Sequence, residues 1–118
     1  MRLVAPLILS LCLLLTGIAL GETDYGNSRP KSVTADCLET SADVSWAPVM
    51  DDNLLGYNVY WKLTEGTQYT QANSEIVTTT TYQVTQLSFG LSHDFGVIAL
   101  LTGGHSSDMS SPATCATG

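Results

Sequence analysis

Cations are nearly missing from this chain. Four lysines and arginines stand against eleven aspartates and glutamates in 118 residues, a formal net charge of −7. Arg2 lies in an apolar leader, which leaves Arg29, Lys31 and Lys62 for everything after it. So few cations give no electrostatic footprint for nucleic acid or an anionic lipid surface. No Cys-x-x-Cys spacing is present, so zinc and dithiol redox chemistry have no support. Neither a Gly-x-Ser-x-Gly elbow nor an Asn-x-Ser/Thr sequon occurs. A second long apolar run is lacking too, so neither a tail anchor nor a glycolipid-anchor signal is expected. A length of 118 residues allows one domain and excludes multidomain enzymes and dinucleotide-binding domains of Rossmann size.

What is present first is greasy. The mean hydropathy of +0.16 is high for a small acidic protein, and the excess sits in residues 1–21. Met1-Arg2 is a short positive start, Leu3 to Leu15 is an apolar run, and Ala19 and Gly21 are small residues placed for cleavage before Glu22. These three parts predict a secretory signal peptide over 1–21. The alternative is a retained membrane anchor, since Leu3 to Leu20 nears the lower limit for spanning. Either way, the charge asymmetry places the rest of the chain outside the cytosol. Residues 22–29 are polar and aperiodic and read as a flexible lead-in.

With Cys12 in the leader, Cys37 and Cys115 remain. An even count in an oxidising compartment predicts one disulfide. Two free thiols or a bridge to another chain are the alternatives.

Beyond the lead-in, short stretches alternate apolar and polar. Val33, Ala35 and Cys37 alternate with Thr34 and Asp36; Ala42, Val44 and Trp46 alternate with Asp43 and Ser45. Tyr57, Val59 and Trp61 share one face, with Asn58, Tyr60 and Lys62 on the other. Four threonines, Thr78 to Thr81, lead into Tyr82-Gln83-Val84, and Phe95, Val97 and Ala99 alternate again. Ser106 to Cys115 reads as a last polar strand. Period two without a helical stripe predicts seven strands in an all-β antiparallel Greek-key sandwich.

Four of these stretches resemble a fibronectin type III domain over residues 30–116. They are Val44-Ser45-Trp46-Ala47-Pro48, Leu54-x-Gly-Tyr57-x-Val59-x-Trp61, Tyr82-x-Val84-x-x-Leu87, and the spacing from Leu87 to Ala99. The resemblance implies a core of Trp46, Tyr57, Val59, Tyr82, Val84, Leu87, Phe95 and Val97. It also implies that Cys37 and Cys115 lie at one pole, where a bond would tie the carboxyl terminus down. His93 stands where the family usually has a corner tyrosine, and Phe89 where proline is common. A histidine ring N–H there is expected to replace the tyrosine hydroxyl that bonds nearby backbone. The integrin motif Arg-Gly-Asp is absent from Leu101 to Asp108, and no Trp-Ser-x-Trp-Ser box follows.

Chemistry has little to stand on. His93 and His105 with Asp94, Asp108 and Ser106, Ser107, Ser110 and Ser111 contain the residue types of a triad, but not its surroundings. Asp51-Asp52-Asn53, or His105 with Asp108, supplies too few oxygens for calcium and reads as a solvated turn. No catalytic site, metal or cofactor is expected. The expected function is that of a secreted, non-catalytic module binding an extracellular or cell-surface protein. The chain is expected to be a monomer, with membrane contact only through a retained leader. The candidate surface is the loop pole of Met50, Asp51, Asp52, Leu55, His105 and Asp108, together with the outward face of Tyr60. The alternative is a structural matrix or coat component, assembled through self-contacts or a Cys-mediated dimer.

Overall fold

The computed structural model describes residues 28–118. The leader, its cleavage point and most of the lead-in lie outside the described residues. Eight strand segments follow in order: β1 (Thr34–Cys37), β2 (Ala42–Ser45), β3 (Leu54–Leu63), β4 (Thr70–Gln71), β5 (Thr81–Val84), β6 (Ser92–Leu101), β7 (His105–Ser106) and β8 (Ala113–Ala116). One antiparallel sheet has the order β1-β2-β5. The other has the order β4-β3-β6-β7, with β8 also pairing β6. The result is an all-β sandwich of two antiparallel sheets. β7 and β8 are two pieces of one edge strand along β6, which reconciles eight segments with seven expected strands.

Alternation decides which side chains enter the space between the sheets. Ala42 and Val44 from β2, Tyr57 and Val59 from β3, and Phe95, Val97 and Ala99 from β6 are all buried, with Trp46, Val77, Val84 and Leu87 around them. The Trp46 and Tyr57 rings meet edge to face, 5.1 Å between centroids. The Tyr57 hydroxyl accepts the Val49 N–H at 3.0 Å, so a buried polar tip is satisfied at the end of β2. Gly56 lies at a register shift in β3, where a Cβ would come 2.6 Å from Ile76 Cγ1 and 2.7 Å from the Val77 carbonyl. Only glycine lets that segment close in and bond Tyr57 to Val77 in both directions.

Tyr82 departs from the expected core. It is half-buried, because β5 is the edge of its sheet and its ring faces the gap toward β4. There its hydroxyl lies 3.5 Å from the Ala72 carbonyl. The last strand departs as well. Between β7 and β8 the chain leaves regular pairing, yet Ser107 and Ser110 keep it against β6. Their N–H groups donate to the Ala99 and Val97 carbonyls, both at 2.9 Å. Their hydroxyls accept the N–H groups of Ala99 at 2.9 Å and Val97 at 3.0 Å. Two serine oxygens thus stand in for strand carbonyls. Asn73 does the same beyond the short β4, accepting the buried Val59 N–H at 2.8 Å. Among the described residues, no helix is long and apolar enough to cross a membrane.

Candidate protein-binding surfaces

Three of the groups that could carry chemistry, His93, Asp94 and Asp51, are committed to the fold. His93 is wholly buried, its ring between Trp61 and Phe95 at centroid distances of 5.8 and 6.3 Å. Its Nδ1 lies 3.0 Å from the Leu91 carbonyl, which can only accept, so Nδ1 donates. Its Nε2 is buried without a hydrogen-bond partner. Asp94 accepts from Thr64 and Thr114, both at 2.8 Å, and pairs with Lys62 at 3.2 Å. Burial pushes its carboxyl up, but the hydrogen bonds from Thr114, Thr64 and Lys62, with the Lys62 charge, outweigh that and hold it below its ordinary value. Asp51 accepts the Ser28 hydroxyl and the Asn53 N–H, which hold it below its ordinary value too. Among the described residues, no three histidine, cysteine or acidic side chains converge where they could hold a metal ion.

The pole singled out from the sequence is brought together by the Thr102 N–H, which donates to the Asn53 carbonyl at 2.9 Å. Met50 projects almost fully, 91% exposed, and Asp52, Leu55, His105 and Asp108 are exposed beside it. Asp51 is half-buried, because Ser28 closes on it. Arg29 reaches Asp108 at 3.0 Å. Ser28 and Arg29 therefore end the lead-in as docked residues rather than as a loose segment, with Ser28 itself buried. Tyr60 is half-buried, between Gln71 of β4 and Gly96 of β6. Its sequence neighbour Tyr69 lies under the Lys62 ammonium, 5.7 Å from the ring centroid. Burial, and then the nearby Asp94 charge, push the Tyr69 hydroxyl up.

The opposite pole carries four exposed large apolar side chains, against Met50 and Leu55 at the loop pole, and the alternation of the sequence does not point to it. Phe89 is 66% exposed, and Leu38, Leu63 and Leu91 are exposed beside it. The backbone gathers them. Gly118 N–H donates to the Leu38 carbonyl at 3.0 Å, and a Cβ on Gly118 would lie 3.7 Å from Phe89 Cζ. Leu63 and Leu91 face each other across a hollow of about 170 Å³, shared with Thr64, Glu65 and Ser92. Exposed Glu65 lines that hollow, and Glu39 is exposed next to Leu38. The Cys37–Cys115 disulfide, Cα atoms 5.7 Å apart, fixes this end by joining β1 to β8. A sequence signal existed for three of them: Leu38, Phe89 and Leu91 stand in or next to turns, whereas Leu63 ends the alternating run of Tyr57, Val59 and Trp61.

A scan against family models matches the fibronectin type III domain over residues 28–116. Solved structures agree on the fold. A titin fragment superposes with a TM-score of 0.69 at 24% identity, over 76% of this chain and 32% of that one. The chain thus spans about a third of that fragment. A structure described as a myokine superposes with a TM-score of 0.65 at 24% identity, over 76% of this chain and 96% of that one. An Fn3-like protein from Clostridium thermocellum gives 0.60 at 22% identity, covering 72% of this chain and 86% of that one. No curated protein sequence matches significantly. Family modules of this kind commonly serve in protein binding or in structural arrays, and are generally non-catalytic. With three quarters of its length inside the matching family model, two antiparallel sheets in this order and Trp46 buried between them, the chain belongs to the fibronectin type III family.

Proposed function

We propose that the protein is a secreted, non-catalytic recognition module that binds an extracellular or cell-surface protein through its disulfide pole. One observation carries the reading. Phe89, Leu38, Leu91 and Leu63 stand exposed together on a rigid end of the sandwich. A contiguous apolar patch rimmed by polar groups is what protein interfaces use, and isolated exposed leucines are not. Glu39 and Glu65 are exposed beside these side chains, so a partner with a basic edge fits best. The disulfide and the apolar leader support an oxidising, extracellular setting. Because Cys37 and Cys115 bond each other, neither serves the Cys-mediated dimer of the alternative reading.

The test is proximity labelling on cell surfaces with three forms of the full chain. They are the wild type, a disulfide-pole variant (Phe89→Ser with Leu91→Ser) and a loop-pole variant (Met50→Ser with Leu55→Ser). Partners enriched by the wild type should be lost with the first variant and kept with the second. Enrichment that survives the first variant, or is lost only with the second, overturns the reading.

A further inference from the structure

The free edge of β5 differs from every other edge of the sandwich. Trp46 N–H donates to the Thr80 carbonyl at 3.0 Å, which marks that pair as closely bonded in the β2–β5 ladder. Bonded pairs recur every second residue, so Val44 with Tyr82 and Ala42 with Val84 are the next two. Thr81 and Gln83 therefore turn their N–H and C=O groups away from β2. Among the described residues no strand lies against that side, and only the Thr79 hydroxyl reaches it, 3.0 Å from the Thr81 carbonyl.

Open edges are normally blunted by charge, proline, interruption or a crosslink. β1 follows Pro30 and is tied to β8 by the disulfide. β4 has two residues, and the β7–β8 edge is interrupted over residues 107–112, which include Pro112. β5 has none of these devices. Residues 76–92 hold no Asp, Glu, Lys, Arg or Pro, and Thr78 to Thr81 with Val84 and Thr85 are β-branched residues that suit a strand.

We propose that β5 pairs antiparallel with β5 of a second copy of this chain, about a two-fold axis, and joins two three-stranded sheets into one of six. Charge selects a second copy as the occupant. In a chain of net charge −7, most surfaces bring like charges together when two copies meet. Asp36 stands on β1, Glu65 and Glu75 flank β4, and Asp108 lies on the β7–β8 edge. No charged residue stands on β5 itself; Asp43 lies one strand inward, where Gln83 Nε2 donates to it at 3.2 Å, and Glu75 borders the hollow beside Thr79 and Tyr82. In the proposed pair the two β2 strands are three strand spacings apart, about 14 Å. That exceeds the screening length of about 8 Å at physiological salt.

Sedimentation equilibrium of the full chain tests this, from about 10 μM to about 1 mM, a range that brackets weak association. The wild type should rise toward dimer mass, and the Thr81 and Gln83 amides should gain protection from hydrogen exchange as it does. Thr81→Lys with Gln83→Lys should remain monomeric with an unchanged near-UV spectrum. Gln83→Pro removes only an outward N–H, so it should do the same without touching the β2 ladder. A wild type that stays monomeric throughout overturns the proposal. So does a dimer that survives both variants, or one abolished by Phe89→Ser with Leu91→Ser instead.

Discussion

Cys37 at the end of β1 and Cys115 within β8 have Cα atoms 5.7 Å apart, and their bond joins the two sheets of the sandwich across a sequence separation of 78. A crosslink that closes so long a loop removes much of the freedom of the unfolded chain. Loop-entropy arithmetic gives about 4.5 kcal/mol, and measured values for native bonds run from about 2 to about 5. Replacing both cysteines by alanine should therefore lower the urea midpoint strongly while leaving the denaturant slope close to that of the reduced wild type. A loss under about 1 kcal/mol would mean that the packing of β1 against β8 holds without the bond.

Thr117, not His93, is the strongest polar fastening at the corner before β6. The buried Thr117 hydroxyl donates to the Ser88 carbonyl and accepts the Leu91 N–H, while its own N–H donates to the Leu91 carbonyl at 3.0 Å. Thr117→Val keeps the shape and leaves the Leu91 N–H without an acceptor, a loss of about 1–3 kcal/mol. His93→Phe removes a second donor to a carbonyl that Thr117 still satisfies, and it also removes the unpartnered Nε2. Its cost should stay below about 1 kcal/mol, because no polar group is orphaned. Urea titrations of the two variants check the order. If His93→Phe proves the costlier, the histidine anchors the corner as the usual tyrosine does.

These two residues also show where sequence stops informing. The strands were legible because alternation is local: Val44 against Asp43, and Val97 against Asp94 and Ile98, declare their faces without knowledge of partners. His93 was recognisable by its place in a family spacing. Thr117 was not, since its role depends on the carboxyl terminus passing the 88–91 turn. Ser107, Ser110 and Asn73 escaped for the same reason: each replaces a strand carbonyl only because tertiary structure puts a β6 or β3 N–H opposite it. Tyr82, which the family resemblance places in the core, packs against it only half-buried, because the resemblance does not tell how far an edge strand is covered. The exposed cluster of Phe89, Leu38, Leu63 and Leu91 was invisible because it gathers the segment after β1, the end of β3 and the segment before β6.

Gly96 and Met109 form a lock on the outer face of β6. A Cβ at Gly96 would meet Met109 Sδ and lie 2.7 Å from its Cγ. Gly96→Ala should therefore displace the methionine and cost about 1 kcal/mol, despite the better strand propensity of alanine. With Met109→Ala in the background the clash disappears, and the same substitution should become neutral or slightly stabilising. A double-mutant cycle on thermal midpoints reads the difference directly. Additive effects would show that the methionine moves aside without cost.

Acid should weaken this protein partly through Asp94. Its carboxyl is lowered from the ordinary 3.8, the bonds from Thr114, Thr64 and Lys62 overcoming the opposing effect of burial. A carboxylate with a lower pKa when folded binds fewer protons than the unfolded chain does, so stability rises with pH across that interval. The contribution is complete above the unfolded value and is lost as pH falls through the folded one. The Lys62–Asp94 pair is shielded, with side chains 16% and 13% exposed, so it escapes most of the screening that makes surface pairs weak. Asp94→Asn should cost about 1.5–3 kcal/mol at pH 7, the range for hydrogen bonds to a charged group. The same variant should differ little from wild type at about pH 2, where both carry a neutral side chain. Stability curves for the two proteins should converge as pH falls below 3.8, and parallel curves would mean that the Asp94 charge contributes nothing to the fold.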